Sequence, residues 1–188
     1  RHSTRPAPAP ARPTSRRSTR TVSTDRLETH LIESGADDGV PVVFVHGNAS
    51  SSRFFGELLA DLPDRYRALA PDLRGYGRSE RRPIDATRGL RDFAEDLRAL
   101  VRTLDLSRAA LVGWSTGGGV AMRSTIEHPD EVSSLALFNP VSPHGYGGTL
   151  RAGTPCQPDY AGTGGGVANE GFRERLASGA PSPEPAPP

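Results

Sequence analysis

A chain of 188 residues suits one domain with room for a sizeable core in its central segment. Hydrophobic residues make up 35%, below the usual globular share, so part of the chain is expected to lie outside any core. A net charge of +1 excludes a bulk electrostatic case for nucleic acid or a membrane surface, and neither is expected as a partner. No apolar run approaches the roughly 18–20 residues of a membrane helix. Cys156 is the single cysteine, which rules out an intrachain disulfide and fits a cytoplasmic location. All 23 basic residues are Arg, which, with 21 Gly and 18 Pro, points to a GC-rich coding sequence rather than an anion-binding role. The chain opens on Arg1, its one methionine is Met122, and no hydrophobic stretch follows the charged N-terminus. It therefore reads as a processed chain, a fragment or a partial reading frame, without a secretory signal.

Residues 1–20 contain no acid and little apolar surface, so they are expected to form a disordered Arg/Pro-rich tail. Thr21 to Ser34 mixes β-branched and polar residues and predicts one or two edge strands. The Gly35–Gly39 turn leads into Val40-Pro-Val-Val-Phe-Val45, a short β-branched run typical of a strand buried on both faces of a parallel sheet. Ser50–Ser52 can cap a helix carrying Phe54, Phe55, Leu58, Leu59 and Leu62 on one face, ended by Pro63. Tyr66–Ala70 is a second such strand. Thr87 to Leu104 is the clearest helix, with Leu90, Phe93, Leu97, Leu100, Val101 and Leu104 aligned. Ala109–Val112 is a third strand, Val120–His128 a further helix and Val132–Phe138 a fourth strand.

This alternation predicts an α/β fold with a mostly parallel sheet flanked by helices. Its organised part spans 21–142. Residues 143–177 read as the start of a cap-like insertion, with a short helix over Asn169–Ala177, and 178–188 as a second disordered, Pro-rich tail.

Three motifs carry chemistry. Gly113-Trp114-Ser115-Thr116-Gly117 matches G-x-S-x-G, directly after a strand and before a helix. A serine at so tight a strand-to-helix bend needs small neighbours, which Gly113 and Gly117 provide, and the helix aims its N-terminal N–H groups at the serine. Acyl transfer also needs two N–H donors on the developing oxyanion. The residue after the serine, Thr116, offers one, and the loop His46-Gly47-Asn48, at the end of the first buried strand, can offer the other. His46 precedes the serine, so it is read as a support that hydrogen-bonds the loops, with Gly47 beside it, rather than as the base. The third motif is Asp72-Leu-Arg-Gly-Tyr-Gly-Arg-Ser79. It is read as a packed loop in which Asp72 and Arg74 pair beneath the site. Trp114, Phe54 and Phe55 are candidate apolar walls. No motif asks for a metal or a cofactor.

Together these motifs resemble the α/β-hydrolase fold superfamily over about Asp25 to Pro140, nearest its esterase, haloperoxidase-like and aminopeptidase-like branch. The resemblance implies Ser115 as nucleophile, the Asn48 and Thr116 amides as oxyanion hole, and a small-molecule acyl substrate. Related dehalogenases and epoxide hydrolases place Asp at the elbow, so the serine argues for acyl transfer to water.

The family pattern continues with further strands that deliver an acid and a histidine, which this chain is expected to lack. His128 ends a helix, and His144 is read as a loop residue at the pocket. The incomplete fold would expose an apolar sheet edge open to self-association. The alternative to a serine hydrolase is a non-catalytic binding or interaction module built on the same truncated fold. Perhydrolysis or amide cleavage would share the same acyl-transfer core.

Overall fold

A computed structural model describes residues 17–85, 88–106, 108–144 and the single residue 178. The tail expected over 1–16, the cap-like segment from 145 with its helix at 169–177, and the tail after 178 lie outside the described residues. Among the described residues six strands form one sheet: β1 (Ser18–Ser23), β2 (Glu28–Ser34), β3 (Val40–Val45), β4 (Tyr66–Pro71), β5 (Ala109–Trp114) and β6 (Val132–Phe138). Their order is β1-β2-β4-β3-β5-β6. β4, β3, β5 and β6 pair in parallel, whereas β1 with β2 and β2 with β4 are antiparallel. The expected mostly parallel sheet is thus present with an antiparallel flank.

Two expectations for that flank change. The first strand starts at Ser18, inside the stretch read as tail, because Ser18 to Ser23 pair residue by residue with Glu33 to Glu28. Arg20 adds an ion pair to Glu33. β2 is not an edge strand, since β4 covers its other side. Its residues Leu31 and Ile32 are buried accordingly.

β3 explains why its run is apolar throughout. Val43 and Val45 face one layer and Phe44 the other, and all three are buried. Pro41 is tolerated in this central strand by its position. Val40 N–H bonds the Arg65 carbonyl on the β4 side, so the N–H that Pro41 lacks would point toward β5, whose pairing starts only at Val42.

Among the described residues three α-helices cover the sheet: α1 (Gly56–Asp61), α2 (Arg91–Thr103) and α3 (Thr116–Glu127). The larger core lies between the sheet and α2 with α3, where Phe93, Leu97, Leu100 and Val120 meet Leu31, Val43, Val45, Leu69 and Leu111. Each such leucine stabilises the fold by roughly 1.5–3 kcal/mol relative to exposure. The opposite face packs Phe55 and Leu59 on Ile32, Phe44, Ala68 and Ala70.

All three helices differ at their ends from their periodicity. The stretch from Ser52 to Phe55 is a 3-10 turn capped by Ser51, and α1 is only the six residues after it. Gly89 takes a left-handed φ of 62°, which no α-helix continues through, so α2 starts at Arg91 rather than Thr87. α3 starts four residues earlier than expected, at Thr116, and takes in all three glycines despite their poor helix propensity.

At the far edge, β6 pairs only with β5 among the described residues. Most of it is exposed, Phe138 at 57%.

Candidate active site

Ser115 stands where β5 meets α3, with φ 54° and ψ −119°. A non-glycine residue pays about 1–3 kcal/mol for such a backbone and keeps it only where its surroundings impose it. Four hydrogen bonds do so. Its N–H donates to the Phe138 carbonyl at 3.0 Å, and its carbonyl accepts from Gly118, Gly119 and Val141 N–H at 3.0, 3.3 and 3.0 Å. The side chain is half-buried, and its hydroxyl makes no hydrogen bond among the described residues.

The sequence around it allows the bend because the backbones touch. A Cβ on Gly113 would fall 2.5 Å from Gly118 Cα, and one on Gly117 would overlap the Val45 carbonyl oxygen. A Cβ on Gly47 would lie 2.9 Å from Ser115 Cβ and 3.1 Å from the Trp114 ring. The loop leaving β3 therefore passes directly against the elbow: a side chain at Gly47 or Gly117 would push the two apart, and one at Gly113 would push β5 from α3. This loop is bent as well, since Ala49 takes φ 50°. The Asn48 N–H donates to no partner among the described residues, while its side-chain Oδ1 accepts from the Tyr76 hydroxyl at 2.5 Å. Thr116 is buried in the first turn of α3, whose N-terminal N–H groups and dipole favour negative charge.

His46 is fully buried and both ring nitrogens are committed. Nε2 accepts from the Leu73 N–H at 3.0 Å, and Nδ1–H donates to the Gly47 carbonyl at 2.8 Å. A backbone N–H can only donate, so the ring is the neutral Nδ1–H tautomer. Burial lowers its pKa, partly offset by the Gly47 carbonyl and the nearby Asp72 charge. It hydrogen-bonds the loops, as expected, and has no free nitrogen for Ser115.

The third motif is packed beneath the site but wired differently from its expected Asp72–Arg74 pair. Asp72 Oδ1 accepts from Ser52 N–H at 2.6 Å, and Oδ2 from Arg78 N–H and His30 Nδ1, both at 2.9 Å. Burial pushes its pKa up, but the Arg78, Ser52 and His30 donors outweigh this and hold it below the usual carboxylate value. Arg74 turns to α2 instead, forking onto Asp96 with two bonds of 2.7 Å and reaching the Pro83 carbonyl at 2.8 Å. Arg26 joins the same Asp96 at 2.7 Å. Sequence reasoning missed His30, Tyr76 and Asp96. Asp96 left a signal, as an acid beside the Phe93–Leu97 stripe of α2, and Tyr76 lay inside the third motif with no role assigned to it.

The three aromatic candidates fall in one row. Phe54 stacks on Trp114 with centroids 4.1 Å apart and planes at 8°, and meets Phe55 edge-on at 5.2 Å. Phe54 is 57% exposed, whereas Phe55 is buried against Phe44 and backs the row from the core. Neither described histidine later in the chain reaches Ser115. His144 Nδ1 contacts Arg123 at 3.4 Å, and His128 ends α3 with its N–H on the Ser124 carbonyl at 2.9 Å. Asp130 and Glu131 precede β6, at the opposite end of the sheet from Ser115. The other late acids, Asp159, Glu170, Glu174 and Glu184, lie outside the described residues. Among the described residues no group of His, Cys, Asp and Glu is arranged to hold a metal ion, and no helix is long and apolar enough to cross a membrane.

The family model of the alpha/beta hydrolase fold matches residues 40–161, which include β3, the Asn48 loop and the Ser115 elbow. This chain belongs to the α/β-hydrolase fold family. The chain is 34% identical over 103 residues to the magnesium-chelatase 30 kDa subunit of Rhodobacter capsulatus, covering 55% of the chain and 36% of the relative. It is 35% identical over 115 residues to a haloalkane dehalogenase of Agrobacterium fabrum, covering 61% and 36%. The crystal structure of E-2-(acetamidomethylene)succinate hydrolase superposes with a TM-score of 0.59 at 32% identity, covering 64% of this chain and 43% of that one. The chain thus spans well under half the length of these relatives.

Proposed function

We propose that this α/β hydrolase carries the nucleophile part of a serine hydrolase acting on a carboxylic ester or a related acyl compound. The observation that carries the reading is Ser115 on its strained bend, set against the Asn48 loop. Ser115 Oγ adds to the substrate carbonyl carbon, and its proton passes to a histidine supplied from outside the described residues. The Asn48 and Thr116 N–H groups hold the resulting oxyanion. Collapse expels the alcohol, which takes up that proton, and water releases the acid from Ser115 by the same route. Perhydrolysis and amide cleavage would use the same acyl-serine.

Serine also separates this chain from dehalogenation. Displacing halide with a hydroxyl would leave an alkyl ether, which has no carbonyl for water to attack, whereas an Asp forms an ester that water can open.

A fluorophosphonate probe tests the reading. It should phosphonylate Ser115, as located by peptide mass spectrometry, and Ser115→Ala should abolish the adduct. Absence of an adduct at Ser115 would leave the non-catalytic binding module. We also place the protein in the cytoplasm, in keeping with its single cysteine, which cell fractionation would test. The exposed apolar β6 edge makes self-association the expected macromolecular contact, and concentration-dependent sedimentation reads it out.

A further inference from the structure

The proposed oxyanion loop is short of internal support. Gly47 has no side chain, Ala49 sits at a left-handed φ, and Asn48 is exposed. Besides the His46 Nδ1–H on the Gly47 carbonyl, what holds it comes from the turn at 73–76. That turn is closed by the Tyr76 N–H on the Leu73 carbonyl at 2.9 Å. Its first residue donates the Leu73 N–H to His46 Nε2 at 3.0 Å, just before Gly47. Its last residue donates the Tyr76 hydroxyl to Asn48 Oδ1 at 2.5 Å, just after Gly47. The Tyr76 ring also stands edge-on to the His46 ring, with centroids 5.4 Å apart and planes at 71°. One turn therefore grips both residues that flank Gly47.

The turn is itself anchored from below. Asp72, directly before it, accepts from His30, Ser52 and Arg78, and Arg74, within it, is forked onto Asp96. A rigid base therefore stands behind the tyrosine.

We propose that Tyr76 is a positioning residue for the reaction at Ser115: its hydroxyl, through Asn48 Oδ1, sets the direction of the Asn48 N–H. The inference rests on the serine-hydrolase reading and adds the residue that orients its second oxyanion donor. Losing an oxyanion donor outright costs about 10²–10³-fold. Loosening its aim, with the donor still present, should cost less, about tenfold.

The test is a double-mutant cycle on the full chain, read as the rate of fluorophosphonate addition to Ser115. Tyr76→Phe keeps the ring on His46 and removes only the hydroxyl. Asn48→Ala keeps the amide and removes only the acceptor. Each should slow addition about tenfold, and the double variant should be no slower than either single one. A second readout, the 15N relaxation order parameter of the Asn48 amide, should fall in Tyr76→Phe while the melting temperature moves little. Unchanged labelling by Tyr76→Phe, or losses that multiply in the double variant, would overturn the tether while leaving the serine-hydrolase reading intact. If the parent chain takes no label at Ser115, that reading falls, and the Asn48 order parameter decides the tether by itself. A fall in Tyr76→Phe upholds it, and no change ends it.

Discussion

The two loops that meet at Ser115 are held by opposite means. The elbow is backbone against backbone: Gly113, Gly117 and Gly47 leave no room for a Cβ, and the hydrogen bonds that force the Ser115 conformation come from main-chain groups. The loop after β4 is held by side chains, with Asp72 taking three donors, Arg74 forked on Asp96, His46 reaching it from the β3 loop and Tyr76 reaching back to Asn48. Packing of the first kind is steric and indifferent to pH. Wiring of the second kind depends on protonation states and on partners far away in the chain. The difference teaches where a substitution will be felt as lost volume and where as lost charge.

The comparison can be broken most severely at the serine itself. Ser115→Ala should remove all probe addition at the elbow while leaving the melting temperature within a few degrees, because the backbone bonds that hold the bend remain. Next comes the steric side. Gly117→Ala puts a methyl into the Val45 carbonyl and should cost about 3 kcal/mol, toward the upper end for an overpacked site, measured by urea unfolding. That loss should be the same at pH 5 and pH 8.

On the wired side, Asp72→Asn replaces an acceptor of three donors by a group that must turn its own donor toward one of them. A loss of about 2 kcal/mol is expected, and it should shrink as the parent's own Asp72 becomes protonated. Since the folded pKa of Asp72 is lowered, its contribution is complete above the unfolded carboxylate value and fades as pH falls through the folded one.

His46 sharpens the comparison through the same linkage. Its folded pKa lies below the ordinary 6.5, so its contribution is present above that value and is lost as pH falls toward the folded pKa. Unfolding free energy should therefore decline below about pH 6.5. That slope should be weaker in His46→Asn, whatever the variant's absolute stability. The smallest effect is expected at the stacked pair, where Phe54→Ala should cost about 1 kcal/mol, because Phe54 is more than half exposed.

Much of the fold was legible from periodicity. The runs at 40–45, 66–70, 109–112 and 132–138 all became strands, and the Leu90–Leu104 stripe became the face of α2 that fills the main core. Helix ends were less legible. The α3 start was masked by glycines that read as loop, although close packing recruits them into the first turn. The β1 start at Ser18 was hidden in a composition typical of a tail, because its strand conformation comes from pairing with β2 and not from its own residues.

The elbow could be read locally because its constraint is local: a serine between glycines, after a strand and before a helix, has few other conformations open to it. The wiring around it could not be read this way. His30 to Asp72, His46 to Leu73, Asn48 to Tyr76 and Arg74 to Asp96 each join residues at least 22 positions apart. The sheet order, which sets β4 between β2 and β3, brings the first three pairs together, and the packing of α2 on the sheet brings the fourth. The sequence by itself determined that Ser115 would stand on a tight bend above a parallel sheet. The tertiary structure alone decided what holds the facing loop, because hydrogen bonds between distant residues exist only once the strands that carry them lie side by side.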